Sequence, residues 1–311
     1  MWYGWLCWRS KQSTAYALEK QLLPEGFARA TDGVLSHRNR MLHYRDGKHV
    51  PRPKLVERAE ALYPGGRALL EHPYWEILDP EEDVSACASA WLTRLGADVQ
   101  RILFRPRRSA INVRTRRSSL TTAPLQPLEN LGTFEALAAT ALLVREALHA
   151  DDMRCARYCA FSFWRLLLVI SSLRPFCNLL PAMTELADKT LLQQVVYRDE
   201  QVSLASADIL SYEAMLNRYF PPEQTNGASK QKYTRWVNAR LSMIRGEENL
   251  DLLIAFQLPV VATPLLQADQ IRHAHFSRVQ RVQDMAFDYC SKGLWECLSF
   301  RDYIADLIGI M

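Results

Sequence analysis

With 311 residues, 49% of them hydrophobic and only 12 glycines, the chain is long enough for two or three domains and too apolar for a disordered polymer. Its net charge of +4 hides a segregation: residues 29–58 hold eight Lys/Arg against three acids, and residues 101–117 hold seven arginines and no acid, so the remainder is acidic. Basic charge gathered in two short stretches is the electrostatic footprint of a chain that meets phosphates.

In chain order, the aromatic start MWYGWLCWRS comes first. It lacks the basic start and long apolar core of a secretory leader. Its Trp2, Tyr3, Trp5 and Trp8 suit either cover for a neighbouring hydrophobic face or a platform on which bases stack. Residues 11–23 read as a helix ended near Pro24. Residues 25–31 read as a short second helix closed by Asp32-Gly33. Ser36 is a candidate N-cap for a third helix through Arg45, stopped by Asp46-Gly47. Pro51 and Pro53 suit the first turn of a fourth helix, which runs to Tyr63 before Pro64-Gly65-Gly66.

Pro80-Glu81-Glu82-Asp83 sets acids at the positive end of the next helix, which reaches about Leu95 within a connecting segment 80–104. From Arg105 the composition turns to Arg, Ser, Thr and Pro, and 105–132 reads as a basic loop or linker. Beyond it, helical periods follow over 134–149, 151–173, 175–197, 206–219, 229–245, 249–256, 267–291 and 295–308. The most apolar stretch, 160–181, is interrupted by Arg165 and Arg174. A membrane span needs about 20 consecutive apolar residues, so this is expected to be a buried core helix, and no membrane anchor is expected. The fold expected is all-α: an N-terminal module over 1–79, the connecting helix, the basic loop, and a helical domain over 133–311. Seven cysteines without a CxxC pair point to reduced thiols and a cytoplasmic setting.

The stretch FARATDGVLSHRNRMLHYRDGKHVPRPKLVERAEAL, residues 27–62, resembles lambda-repressor-like helix-turn-helix domains. Tyr44, Gly47, Lys48, Pro51, Leu55, Ala59 and Leu62 fall on that family's pattern of aromatic residue, Gly-Lys turn, Pro and helix with spaced apolar residues. Arg45 and Leu42 depart from it, standing where the family usually has an acid and a polar residue. Tyr44-Arg45, Gly47, Pro51, Pro64-Gly65 and Trp75 also resemble a set of uncharacterised bacterial proteins with a YR-x-G-x-x-x-P, PG and W signature. The resemblance implies a DNA-binding module over these residues. Leu55, Ala59 and Leu62 recur on one helical face, against which Met41 and Tyr44 would pack. His37, Arg38, Asn39, Arg40 and His43 then project outward. Arg matches guanine and Asn matches adenine in a major groove, so Arg38, Asn39, Arg40 and His43 are candidate base contacts. Lys48, Arg52 and Lys54 are candidate phosphate contacts. In the second basic stretch, Arg105, Arg107, Arg108, Arg114, Arg116 and Arg117 are further candidate phosphate contacts, because planar guanidinium pairs bidentately with phosphate.

No P-loop, GxGxxG, HExxH or GxSxG occurs, so no catalytic residue or cofactor is assigned. Arg67 and His72 match the Arg-His spacing of helical toxin-type ribonucleases. Cys155 and Cys159 share a helix face, yet no His lies near them, and small buried thiols are expected there rather than a metal site. His273 and His275, two apart, diverge on a helix. The function these patterns favour is nucleic-acid binding of regulatory or mobile-element type, duplex DNA before RNA. The larger domain would serve a homodimer or a protein partner. The alternatives are an adaptor or scaffold with a degenerate helix-turn-helix, and the toxin-type ribonuclease.

Overall fold

The computed structural model describes residues 2–29, 35–36, 39–106, 114–116, 121–206, 209–222, 228–247 and 249–293. These residues are predominantly helical, and the chain is all-α in class, with three small antiparallel sheets beside the helices. Two compact units form: residues 1–72 with 173–179, and residues 73–172 with 180–311. No helix among the described residues is long and apolar enough to cross a membrane.

The first unit opens with α1 (Trp2–Ser10), whose Trp2, Trp5 and Leu6 recur at helical spacing and are buried. The aromatic start is therefore a core helix through Trp2 and Trp5, while Trp8 is exposed. Helix α2 (Ala15–Leu22) is capped by the Thr14 hydroxyl, which accepts from the Ala17 amide. Its Leu18 and Leu22 join Trp2, Trp5, Met41, Leu55, Val56 and Ala59 in one apolar cluster. The chain between α2 and the next helix departs from the sequence reading. Pro24–Gly26 is one 3-10 turn, and strands β1 (Ala28–Arg29) and β2 (Leu35–Ser36) pair antiparallel where residues 25–31 read as a helix. Consequently α3 is short, Arg40–Arg45, with Ser36 in a strand instead of at its N-cap.

Helix α4 (Pro53–Leu62) starts on Pro53, where a missing amide hydrogen costs nothing. It buries Leu55, Val56 and Ala59, whereas Leu62 is 52% exposed; Val56, not Leu62, completes the apolar stripe. Helix α5 (Gly66–Leu70) begins at Gly66, against which the Trp5 ring lies so closely that an added Cβ would meet its Cζ3 at 2.8 Å. Only glycine admits that approach.

In the second unit α6 (Pro73–Leu78) and α7 (Val84–Arg94) are joined by a turn whose carbonyls are gathered by one side chain. The Arg145 guanidinium donates to Ile77 O, Asp79 O and Glu82 O and lies over Trp91. The connecting segment is two helices, α7 and α8 (Ala97–Leu103), broken at Gly96. The stretch 105–132 is not a featureless linker. Strands β3 (Phe104–Pro106) and β4 (Arg114–Arg116) pair with Phe104 opposite Arg116, and α9 (Leu125–Leu131) follows.

Helices α10 (Phe134–His149) and α11 (Met153–Ile170) then form the apolar centre. Most of both helices is buried, from Phe134 to Ala147 and from Cys155 to Ile170. The apolar stretch 160–181 is thus partly the core helix expected, but it ends at Ile170. Residues 175–197 are not one helix: α12 (Leu180–Thr190) gives way to β5 (Val196–Tyr197), which pairs with β6 (Glu200–Val202). Helices α13 (Ile209–Tyr219), α14 (Lys230–Arg245) and α15 (Leu250–Ala255) follow, then strand β7 (Val260–Ala262) on β6, and helices α16 (Pro264–Ala268) and α17 (Gln270–Lys292). The helix expected over 295–308 lies outside the described residues.

Arg240 of α14 is fully buried and donates to Asn217 Oδ1, Phe220 O and Leu168 O, with its guanidinium over Trp236. A single cation thereby ties α11, α13 and α14 together at carbonyls that the helices leave open.

Candidate nucleic-acid interface

The exposed corner between α3 and α4 carries four of the eight cations of the first basic stretch, Arg45, Lys48, Arg52 and Lys54. Its position is set by what lies underneath. Met41 is buried, and Tyr44, three residues on, meets Trp2 edge to face at 6.0 Å. Asn39 gives no side-chain cap to α3. That role passes to Glu19 of α2, a buried carboxylate whose Oε2 accepts from the Met41 amide at 3.4 Å. Sequence reasoning passed over Glu19; the available signal was an acid set between Leu18 and Leu22 on an otherwise apolar face.

The far end of α3 is closed by Gly47 at φ +67°. The Lys48 amide donates to His43 O at 2.9 Å and the Gly47 amide to Tyr44 O at 3.3 Å. This is the Schellman arrangement, which turns the chain sharply and satisfies two terminal carbonyls. Residues 45–50, 52 and 54 are exposed, and among them Arg45, Lys48, Arg52 and Lys54 face solvent with Asp46 as the one acid. Asp46 lies 2.9 Å from Arg45 Nε and 3.6 Å from Lys48 Nζ. The Arg45 hydrogen bond, with Lys48 nearby, holds its carboxyl below the usual carboxylate range. Arg52 and Lys54 engage no ion pair among the described residues, which leaves their charge available to a ligand.

Of the candidate base contacts, Arg38 lies outside the described residues. Asn39 is exposed in a left-handed conformation, φ 50° and ψ 30°, at the start of α3. Arg40 and His43 are half-buried, three residues apart on one side of the helix, and the His43 ring stands 5.3 Å from that of His49. The structure thus sets Lys48, Arg52 and Lys54, with Arg45 and His49, in and beside the turn between α3 and α4, His43 near the end of α3, and Asn39 and Arg40 at its start. In the second unit Arg105 sits opposite Thr115, and Arg114 opposite Pro106, in the β3–β4 ladder. Arg107, Arg108 and Arg117 lie outside the described residues.

The residues of the rival chemistries are placed differently. Arg67 lies between Glu57 at 3.9 Å and Glu71 at 3.8 Å, and its amide donates to Glu60. His72 is buried. Cys155 and Cys159 are both buried in α11, and no group of three or more potential metal ligands occurs among the described residues. No known family model, curated protein or solved structure matches the chain.

Proposed function

We propose that the protein binds nucleic acid, duplex DNA in preference to RNA, through the α3–α4 corner of its first unit. The observation that carries this is the exposed cationic turn: Arg45, Lys48, Arg52 and Lys54 against a single carboxylate, with Arg52 and Lys54 unpaired among the described residues. Phosphates are the natural counterparts of such a turn, because neutralising them releases condensed counterions. Asn39 and Arg40, at the start of α3, would supply the base contacts. A helix of six residues spans only about 9 Å, so phosphate contacts supply most of the affinity and base contacts a smaller, local discrimination.

The test is a duplex-binding salt series on the full chain and on Lys48→Ala/Arg52→Ala/Lys54→Ala. The salt slope should flatten by about 0.9 for each phosphate contact removed. Binding that is independent of salt, or a slope unchanged in the triple variant, would remove the basis for nucleic-acid binding at this corner.

A further inference from the structure

Away from the basic corner, the second unit contains an open groove of about 670 Å³. One stripe of α17 forms a wall: Ile271, His275, Val279 and Val282, spaced four, four and three residues apart. Leu258, Val260 and Leu266 form an apolar floor, and all three are buried. At the rim, Ile271 is 84% exposed and Val279 39% exposed, apolar area that solvent does not favour.

The end of the groove near the start of α17 is different in kind. There the β5–β6 turn brings Arg198, Asp199 and Glu200 beside Arg157 of α11 and Arg272 of α17. Arg157 Nη2 pairs with Glu200 at 2.7 Å, and Arg272 Nη1 pairs with Asp199 at 2.9 Å. Arg198, exposed and lying over the Tyr197 ring, has no carboxylate of its own among the described residues. Three guanidiniums therefore meet two carboxylates, a surplus of one positive charge. Arg157, which lines the groove, also has its Nη1 buried without a hydrogen-bond partner. Buried donors are ordinarily satisfied, so this guanidinium has hydrogen-bonding capacity that its ring and carboxylate neighbours, Tyr197 and Glu200, leave unused.

By contrast, the other arginine cluster of this unit closes on itself. Arg245 and Arg165 share the buried Glu129, and Glu247 balances Arg245. Its two cations meet two carboxylates, so no charge is left over, although Arg165 Nε is likewise buried without a hydrogen-bond partner.

We infer that the α17 groove binds an amphiphilic monoanion, a long-chain carboxylate, with its head group at Arg157 and Arg198 and its alkyl chain along Leu258, Leu266, Val279 and Val282. The single surplus charge matches a carboxylate. The volume falls within the roughly 300–1,000 Å³ of small-molecule pockets, and the lining has their character, apolar walls with a few convergent polar groups. The groove along α17 from Arg272 to Gln283 is about 16 Å long, enough for an extended alkyl chain. This inference stands independently of nucleic-acid binding.

The test uses the full chain and displacement of fluorescent 11-(dansylamino)undecanoate by dodecanoate, dodecanol and dodecyltrimethylammonium, each below its micellar concentration. Dodecanoate should displace the probe at a concentration about tenfold or more below that of the alcohol, the effect of a charge-assisted hydrogen bond. The cation should be the weakest of the three. Arg198→Asn, a residue tolerated in the left-handed backbone found at position 198 (φ 55°), should erase most of the preference for acid over alcohol while leaving alcohol displacement intact. Val279→Glu, on the half-open rim, should weaken dodecanoate at least about tenfold without lowering the melting temperature appreciably. Absence of saturable probe binding, displacement by the cation equal to that by the acid, or a Val279→Glu variant that binds dodecanoate as the parent does would each overturn the assignment.

Discussion

Gly47 offers the sharpest test of how the basic corner is held. It sits at φ +67° with no heavy atom within 4 Å of where a Cβ would be. A substitution there meets no neighbour, so its cost is conformational alone. An L-residue forced into the left-handed region pays roughly 1–2 kcal/mol, Asn less, and a β-branched residue more. The cost falls on the two bonds that close α3, Lys48 N–H to His43 O and Gly47 N–H to Tyr44 O. Since 1.4 kcal/mol is a factor of ten, Gly47→Ala should lower amide protection across residues 40–54 by roughly 5- to 30-fold in hydrogen exchange read by mass spectrometry. Gly47→Asn should do less and Gly47→Val more, while peptides from α10 and α11 keep their parental protection. A Gly47→Asn variant as damaged as Gly47→Val would show that something other than the left-handed backbone sets the cost.

Glu19→Leu should destabilise the first unit by roughly 1–3 kcal/mol, because the Met41 amide loses its buried acceptor, and should weaken duplex binding. Glu19→Gln keeps an acceptor in place and should do neither; equal losses in both variants by urea unfolding and gel shift would refute that role. Arg240→Ala should cost roughly 3 kcal/mol or more, since three acceptors lose one buried donor. Arg240→Lys should fail to restore stability, because an ammonium cannot span the same fork; full rescue in urea melts would contradict this. The Arg94 hydrogen bond, then the Trp91 indole, holds the Glu76 carboxyl below its ordinary 4.5. Its stabilisation is therefore complete above the unfolded-state pKa and is lost as pH falls through the lower folded-state value. Glu76→Gln should lower the urea midpoint at pH 7, and the gap to the parent should narrow progressively as pH falls below 4.5; a gap that does not change with pH would sink the assignment.

How much of this was legible in the sequence depends on the length of each pattern. The period over 134–149 runs for four turns, and it coincides with Phe134–His149 because so many apolar positions vote together. Strands two residues long cast almost no vote, so residues 25–31 read as a helix although Ala28–Arg29 pairs with Leu35–Ser36. As a sequence pattern, Asp32-Gly33 carries a hairpin signal as well as a helix stop. At 175–197 the β-branched and aromatic run Val195-Val196-Tyr197 marked the strand that the helical pattern upstream concealed. Leu62 matched the i, i+7 spacing, but α4 ends there and its stripe rotates onto Val56. Gly47 was legible because a helix stop needs one residue of the right kind. Glu19 was not, since its role is a hydrogen bond across 22 residues of sequence.

These differences bear on what kind of binding the corner can support. A recognition helix that reads several bases needs a continuous outward face, and α3 spends Met41 and Tyr44 on the core and half-buries Arg40 and His43. The cations instead cluster in the turn after it, where Gly47 reverses the chain and Pro51 and Pro53 stiffen the exit. A turn presents charge without a repeating register, so it suits phosphates better than base edges. A chain built this way would bind with a steep salt slope and a small ratio of specific to random affinity. Asn39→Ala would then cost about 1–3 kcal/mol only on a preferred site, while Lys48→Ala would weaken all duplexes by a similar factor. If instead Asn39→Ala weakened every duplex equally, α3 would serve only to hold the turn, and no base would be read from it.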